Sequence, residues 1–144
     1  MPGLSRFVDE VEEPIRLAIS VHAADQALRS KIMPVNDRYP LPAVLDECRR
    51  YYELRHRKVY IEYVMLAGVN DSREQPAELA TLLDSQVFKV NLIPYNPTGM
   101  FDGSSREAIA AFKQVLDRAR IPATVRLTRG RDIAAACGQL AATR

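Results

Sequence analysis

The chain has 144 residues, 47% of them hydrophobic and 26% charged, which is the composition of one folded domain and excludes a disordered polymer. Twenty Lys and Arg against 18 Asp and Glu leave a net charge of +2, so wholesale polycationic binding to nucleic acid or membrane is excluded. No run approaches the roughly 18 apolar residues of a membrane span, and the start, MPGLSRFVDEVEEP, carries acids where a signal peptide needs an apolar stretch. The expectation is a cytoplasmic protein with no membrane partner.

Four short runs rich in β-branched and apolar residues predict buried strands at 15–21, 58–66, 87–93 and 123–127. Between them the apolar residues recur at helical steps. Leu41, Val44, Leu45, Cys48, Tyr51 and Tyr52 mark a helix over 41–56, a second spans about 74–84, and Ile109, Phe112, Val115, Leu116 and Ala119 mark a third. Ser104 or Ser105 is placed to cap that third helix. Alternating strands and helices imply parallel strands joined by right-handed crossovers, so the fold class is α/β.

Ligands of parallel sheets bind at the carboxyl ends of the strands. The informative positions are therefore Ser20, Val21 and His22; Met65 to Asn70; Pro94 to Pro97; and Thr128 to Gly130. Four parallel strands cannot close a barrel, and the outer edge of the first stays open unless Met1 to Val11 covers it. The 144 residues thus read as one unit, part of a larger sheet.

Several side chains stand out. His22 follows an apolar strand and precedes Ala23-Ala24-Asp25, where a helix can start; such a histidine binds a ligand or shapes a turn. Asn96 lies in IPYNPTG, stiffened by Pro94 and Pro97; its amide either recognises a polar ligand or bonds its own loop. Cys48 falls on the apolar face of its helix and reads as core. Cys137, in AAACGQL, has small neighbours that let another molecule approach its sulfur, although a structural role fits the local sequence equally. Two cysteines and two histidines make no self-contained metal-ligand cluster. Between Asp117 and Asp132 lie Arg118, Arg120, Arg126, Arg129 and Arg131 with no intervening acid or lysine. That run is either a solvated face or a phosphate-binding patch.

Four strings taken together carry a family resemblance: LAISVHAADQALRSKIMPVNDRYP at 17–40, YIEYVMLAGVNDS at 60–72, KVNLIPYNPTG at 89–99 and TVRLTRGRDIAAACGQL at 124–140. In this order and spacing the chain resembles the carboxyl-terminal half of the RlmN/Cfr-type radical S-adenosylmethionine enzymes, which methylate adenosine in ribosomal RNA and, for RlmN, also in transfer RNA. The resemblance implies the later part of an incomplete (β/α)6 barrel, cytoplasmic, with 23S rRNA and tRNA as substrates. It implies that Ser20, Val21 and His22 match the family's Ser-Leu-His segment contacting S-adenosylmethionine, Val21 standing where the family has Leu, and that Asn96 matches a further contact. It implies that Cys137 carries the methyl group as S-methylcysteine before transfer to the adenine ring. A [4Fe–4S] cluster would supply the radical chemistry. Arg126, Arg129 and Arg131 become candidate RNA contacts.

The sequence also departs from the family. It contains no Cys-x-x-x-Cys-x-x-Cys, no Gly-Glu-Pro segment and no second cysteine placed to resolve an RNA adduct. The loop after Asn96 is short for the family. These departures lead to the expectation that the chain is a portion of a longer methyltransferase and inactive alone. Two alternatives stand beside it: half of a split enzyme whose cluster-binding half is a separate chain, and a non-catalytic RNA-binding module. The choice between C2 and Cfr-like C8 methylation stays open.

Overall fold

The computed structural model describes residues 2–11, 15–95 and 101–126. Asn96, Arg129, Arg131 and Cys137 lie outside the described residues. Strands β1 (Ala18–Ser20), β2 (Val59–Met65), β3 (Phe88–Pro94) and β4 (Ala123–Val125) form one parallel sheet in the order β1-β2-β3-β4. Adjacent strands are consecutive in sequence and joined by helical connections. That is the winding of a barrel, because a doubly wound sheet reverses its order at a switch point. The expected α/β class and partial barrel are therefore observed.

The central strands β2 and β3 pair over seven positions, from Val59 opposite Phe88 to Met65 opposite Pro94. The edge strands are shorter than their apolar runs suggest. β1 ends at Ser20 because the chain turns sharply at His22, whose φ is 60°.

Helices α3 (Leu41–Arg55), α4 (Glu74–Leu82) and α5 (Arg106–Arg118) contribute to the core beneath one face of this sheet. Helix α3 starts with Pro at its first turn, where a missing N–H costs nothing, and stops at His56, whose φ of 56° places its N–H on the Tyr52 carbonyl at 2.7 Å. Helix α5 is capped by Ser105, whose hydroxyl accepts the Ala108 N–H at 3.1 Å. It buries Ile109, Phe112 and Leu116, three residues on one helical stripe. Cys48 is fully buried in the core, as its place on the apolar face of α3 predicts.

Residues 2–10 form helix α1 (Pro2–Glu10), which adds no strand to the outer edge of β1. It packs on α3 instead: Phe7 stacks on Tyr51 at 5.8 Å, Asp9 pairs with Arg50 at 2.6 Å, and Arg55 donates to the Val8 carbonyl at 3.0 Å. Among the described residues the outer edge of β1 pairs with nothing.

The second face of the sheet divides into two zones. Toward the amino ends it is polar, a hollow of about 450 Å³ lined by Arg16, Tyr60, Glu62, Lys89, Asn91 and Arg126 among others. Toward the carboxyl ends it is apolar, where Val64, Ile93 and Tyr95 pack with Ala23, Ile32 and Leu66. Gly103 closes this end by pairing with Leu66. A side chain at 103 would put a Cβ 2.0 Å from the Tyr95 carbonyl oxygen, so glycine is required there. No helix among the described residues is long and apolar enough to cross a membrane.

Candidate functional site

The carboxyl end of β1 is built unlike an ordinary strand end. Tyr60 N–H donates to the Leu17 carbonyl at 2.9 Å, and Val21 N–H donates to the Glu62 carbonyl at 3.0 Å. A regular parallel ladder advances two residues on both strands per repeat, so it would next send Val64 N–H to the Val21 carbonyl. Instead Val64 N–H donates to Nδ1 of His22 at 3.0 Å. The imidazole replaces a backbone acceptor. The Val21 carbonyl accepts from Ala23 N–H at 2.8 Å, which closes a three-residue turn around His22 in its left-handed conformation. A turn of this hand is rare and strained, and such strain collects at functional sites.

Because Nδ1 accepts, the neutral ring carries its proton on Nε2. His22 is only 5% exposed, and burial, reinforced by the charge of Arg29, brings its pKa down to about 4. The ring is thus a neutral Nε2–H donor at the strand exit.

Two buried polar residues brace this turn. Arg29 on helix α2 (Gln26–Ile32) donates through Nε to the Val21 carbonyl and through Nη2 to the Ser20 carbonyl, both at 3.1 Å, and through Nη1 to Asn36 Oδ1 at 2.6 Å. It is 3% exposed and its partners are three neutral oxygens; burial lowers its pKa. Asn36 is itself anchored, donating to Gln26 Oε1 and Ser30 Oγ at 2.9 Å. On the other side Asn70, fully buried, donates to the His22 carbonyl at 2.8 Å and the Val64 carbonyl at 2.7 Å, while its Oδ1 accepts Leu66 N–H at 2.8 Å. Tyr63 OH donates to the Asn70 carbonyl at 2.7 Å.

The predicted site residues fall as follows. Ser20 is exposed on the open face opposite Glu62, with its carbonyl held by Arg29. Val21 has its side chain in the core and both backbone polar groups bonded internally. Arg126 follows β4 on the same open face, 3.8 Å from Glu62. Glu62 Oε2 is buried without a hydrogen-bond partner among the described residues. Arg16 and Lys89 lie over the Tyr60 ring at 4.7 and 5.8 Å. Cys48 is no nucleophile, since burial pushes its thiol up to about 12. Among the described residues no group of three or more His, Cys, Asp or Glu side chains is arranged to hold a metal ion.

Sequence reasoning missed Arg29 and did not single out Asn70. The available signal for Arg29 is a charge three residues before the buried Ile32, on the inward stripe of a helix.

Comparison with known proteins places this architecture. No family model matches the chain. A probable dual-specificity RNA methyltransferase RlmN of Moorella thermoacetica is 46% identical over 142 residues, covering 97% of this chain and 40% of the relative. The dual-specificity RNA methyltransferase RlmN 1 of Myxococcus xanthus is 44% identical, with 99% of this chain and 40% of the relative covered. The chain is similar to the carboxyl-terminal part of RlmN-type dual-specificity RNA methyltransferases. It spans about 40% of the length of the RlmN relatives it matches. A crystal structure of a radical SAM methyltransferase from Sphaerobacter thermophilus superposes with a TM-score of 0.86 at 45% identity, covering 96% of this chain and 41% of that one. A domain of pyruvate-formate lyase-activating enzyme from Bacteroides vulgatus superposes with a TM-score of 0.67 at 25% identity, covering 83% and 73%. The open sheet is thus a portion of the radical SAM barrel.

Proposed function

We propose that the chain forms one wall of a radical S-adenosylmethionine RNA methyltransferase acting on C2 of adenine in 23S rRNA and tRNA, in the cytoplasm. The observation that carries the reading is the fixed Nε2–H of His22 at the exit of a partial radical SAM barrel. Identities of 44–46% to proteins named RNA methyltransferases support it.

The strand-exit residues fit an adenosyl group in kind. His22 gives one oriented donor, backed by the buried apolar cluster of Val64, Ile93 and Tyr95, and Ser20 stands exposed on the open face. When bound, S-adenosylmethionine supplies the methyl group and, with a [4Fe–4S] cluster, the radical that activates it. Ser20, His22 and Asn96 would hold this cofactor, and Val21, fully buried with both backbone groups bonded, would set the backbone between Ser20 and His22. The described residues do not fit the iron–sulfur cluster.

Cys137 would act as the nucleophile that accepts a methyl group. A thiolate attacks a methylsulfonium readily, whereas an electron-poor aromatic carbon does not. Arg126, Arg129 and Arg131 would contact RNA phosphates, for which guanidinium is suited. Turnover would need the rest of the barrel, either in the same polypeptide or as a separate chain.

The test is methylation of ribosomal and transfer RNA by the full-length protein, with product nucleosides separated. Formation of 2-methyladenosine, lost in Cys137→Ala, supports the reading. Only 8-methyladenosine would assign the Cfr-like chemistry, and RNA binding without any methylation would leave a binding module.

A further inference from the structure

Deepening the proposed function, we propose that Arg29 and Asn70 are positioning residues that fix the backbone of Ser20, Val21 and His22 and thereby aim the His22 Nε2–H into the S-adenosylmethionine site. Neither side chain reaches the open face. Both are nearly or fully buried, and both act on carbonyl oxygens where β1 ends, among them the Val21 carbonyl that the broken ladder deprives of its regular partner.

The need for them follows from the turn. With the Val64 N–H taken by the imidazole, the Val21 carbonyl has lost its ladder partner and keeps only the Ala23 N–H of the tight turn, while the Ser20 carbonyl belongs to the edge of β1 that pairs with no strand among the described residues. Buried carbonyls left unpaired are costly, and a strained left-handed residue persists only where its surroundings over-determine it. Arg29 meets the first requirement from the α2 side, satisfying the Ser20 and Val21 carbonyls with one planar group. Asn70 meets it from the β2 side. Its amide bridges the His22 and Val64 carbonyls, so residues 22 and 64 are joined twice: once through the ring and once through Asn70. Two fixed links define a direction where one would leave a hinge. Asn36 does for Arg29 what Tyr63 does for Asn70, holding the brace in place.

The alternative is that Arg29 and Asn70 only stabilise the fold. The two roles differ at the imidazole, because a purely structural brace can be weakened without changing which ring nitrogen carries the proton.

The experiment uses the full-length protein labelled with 15N in histidine, and its Asn70→Ser, Arg29→Met and Arg29→Lys variants. Heteronuclear NMR reads the His22 tautomer, and titration calorimetry reads S-adenosylmethionine affinity. In the wild type His22 is expected as a single Nε2–H tautomer with a coupling from Nδ1 to the Val64 amide. In folded N70S and R29M the two ring nitrogens should average, with affinity falling about 10- to 100-fold, the loss typical of small misplacement. R29K, which keeps a charged donor, should recover part of both. Exchanging tautomers in the wild type would overturn the proposal whatever the variants do, as would an unchanged tautomer and affinity in the folded variants. Failure of the wild type to bind S-adenosylmethionine would refute the proposed function, while the tautomer readout would still decide whether Arg29 and Asn70 position the ring.

Discussion

Arg126 reaches across β3 to Glu62, its Nη1 3.8 Å from Glu62 Oε1 on the open face of the sheet. The Arg126 side chain is 54% exposed, so solvent screens the pair. Arg126→Gln should therefore cost less than about 1 kcal/mol in urea unfolding. If the side chain meets an RNA phosphate as proposed, the same substitution should weaken RNA binding and reduce the slope of log affinity against log salt by about one. An unchanged slope would remove Arg126 from the RNA surface.

His22 makes stability depend on pH in a defined direction. Its folded pKa is about 4 against 6.5 for the free side chain, so between these values the unfolded chain binds the extra proton. The stabilisation is complete above about pH 6.5 and is lost as pH falls to about 4, for a total of roughly 3 kcal/mol at most. His22→Asn tolerates the left-handed backbone and keeps an acceptor for Val64 N–H, yet cannot titrate. Its unfolding free energy should fall less than that of the wild type between pH 7 and pH 4.5. Parallel pH profiles would show that His22 is not neutral in the fold.

The core beneath the sheet is tested at Phe112, which is 2% exposed and lies 4.9 Å from the Tyr63 ring, centroid to centroid. Phe112→Ala removes a buried ring that its neighbours cannot replace. The expected loss is about 3–5 kcal/mol, read from denaturant midpoints at constant slope. A loss below about 1 kcal/mol would place α5 off the sheet.

Cys48 should ignore thiol reagents in the native protein, because it is fully buried and its thiol is pushed up to about 12. Labelling with a chromogenic disulfide should proceed at Cys48 only at the rate of unfolding. Rapid native-state labelling at Cys48, resolved by peptide mass, would contradict the packing of α3.

The parts of the fold legible in the sequence are those whose pattern is local. β2 and β3 announce themselves through β-branched runs, and α3 and α5 through apolar stripes that face one core. Helix α1 carries a local stripe as well, Leu4, Phe7 and Val8, but the stripe does not name its partner, α3, some 40 residues away, which it meets through Phe7 on Tyr51 and Asp9 on Arg50. The strand exits could be located, and His22 with them, but not what His22 bonds to. Nothing in spacing announces that an imidazole will take a ladder position from a carbonyl, or that Asn70 will bridge carbonyls belonging to residues 22 and 64. The place of Arg29 on the inward stripe of α2 hints at burial, but not at the Ser20, Val21 and Asn36 oxygens that satisfy it there. Asn96 and Cys137 owe their proposed roles to the family motifs and Arg129 and Arg131 to the acid-free arginine run, and all four lie outside the described residues.

The most direct test of the central claim is peptide mass spectrometry of the full-length protein after incubation with S-adenosylmethionine carrying an isotopically labelled methyl group. The account predicts one labelled methyl on the peptide containing Cys137 and none on the peptide containing Cys48. Label on neither cysteine, while RNA is still methylated, would contradict it.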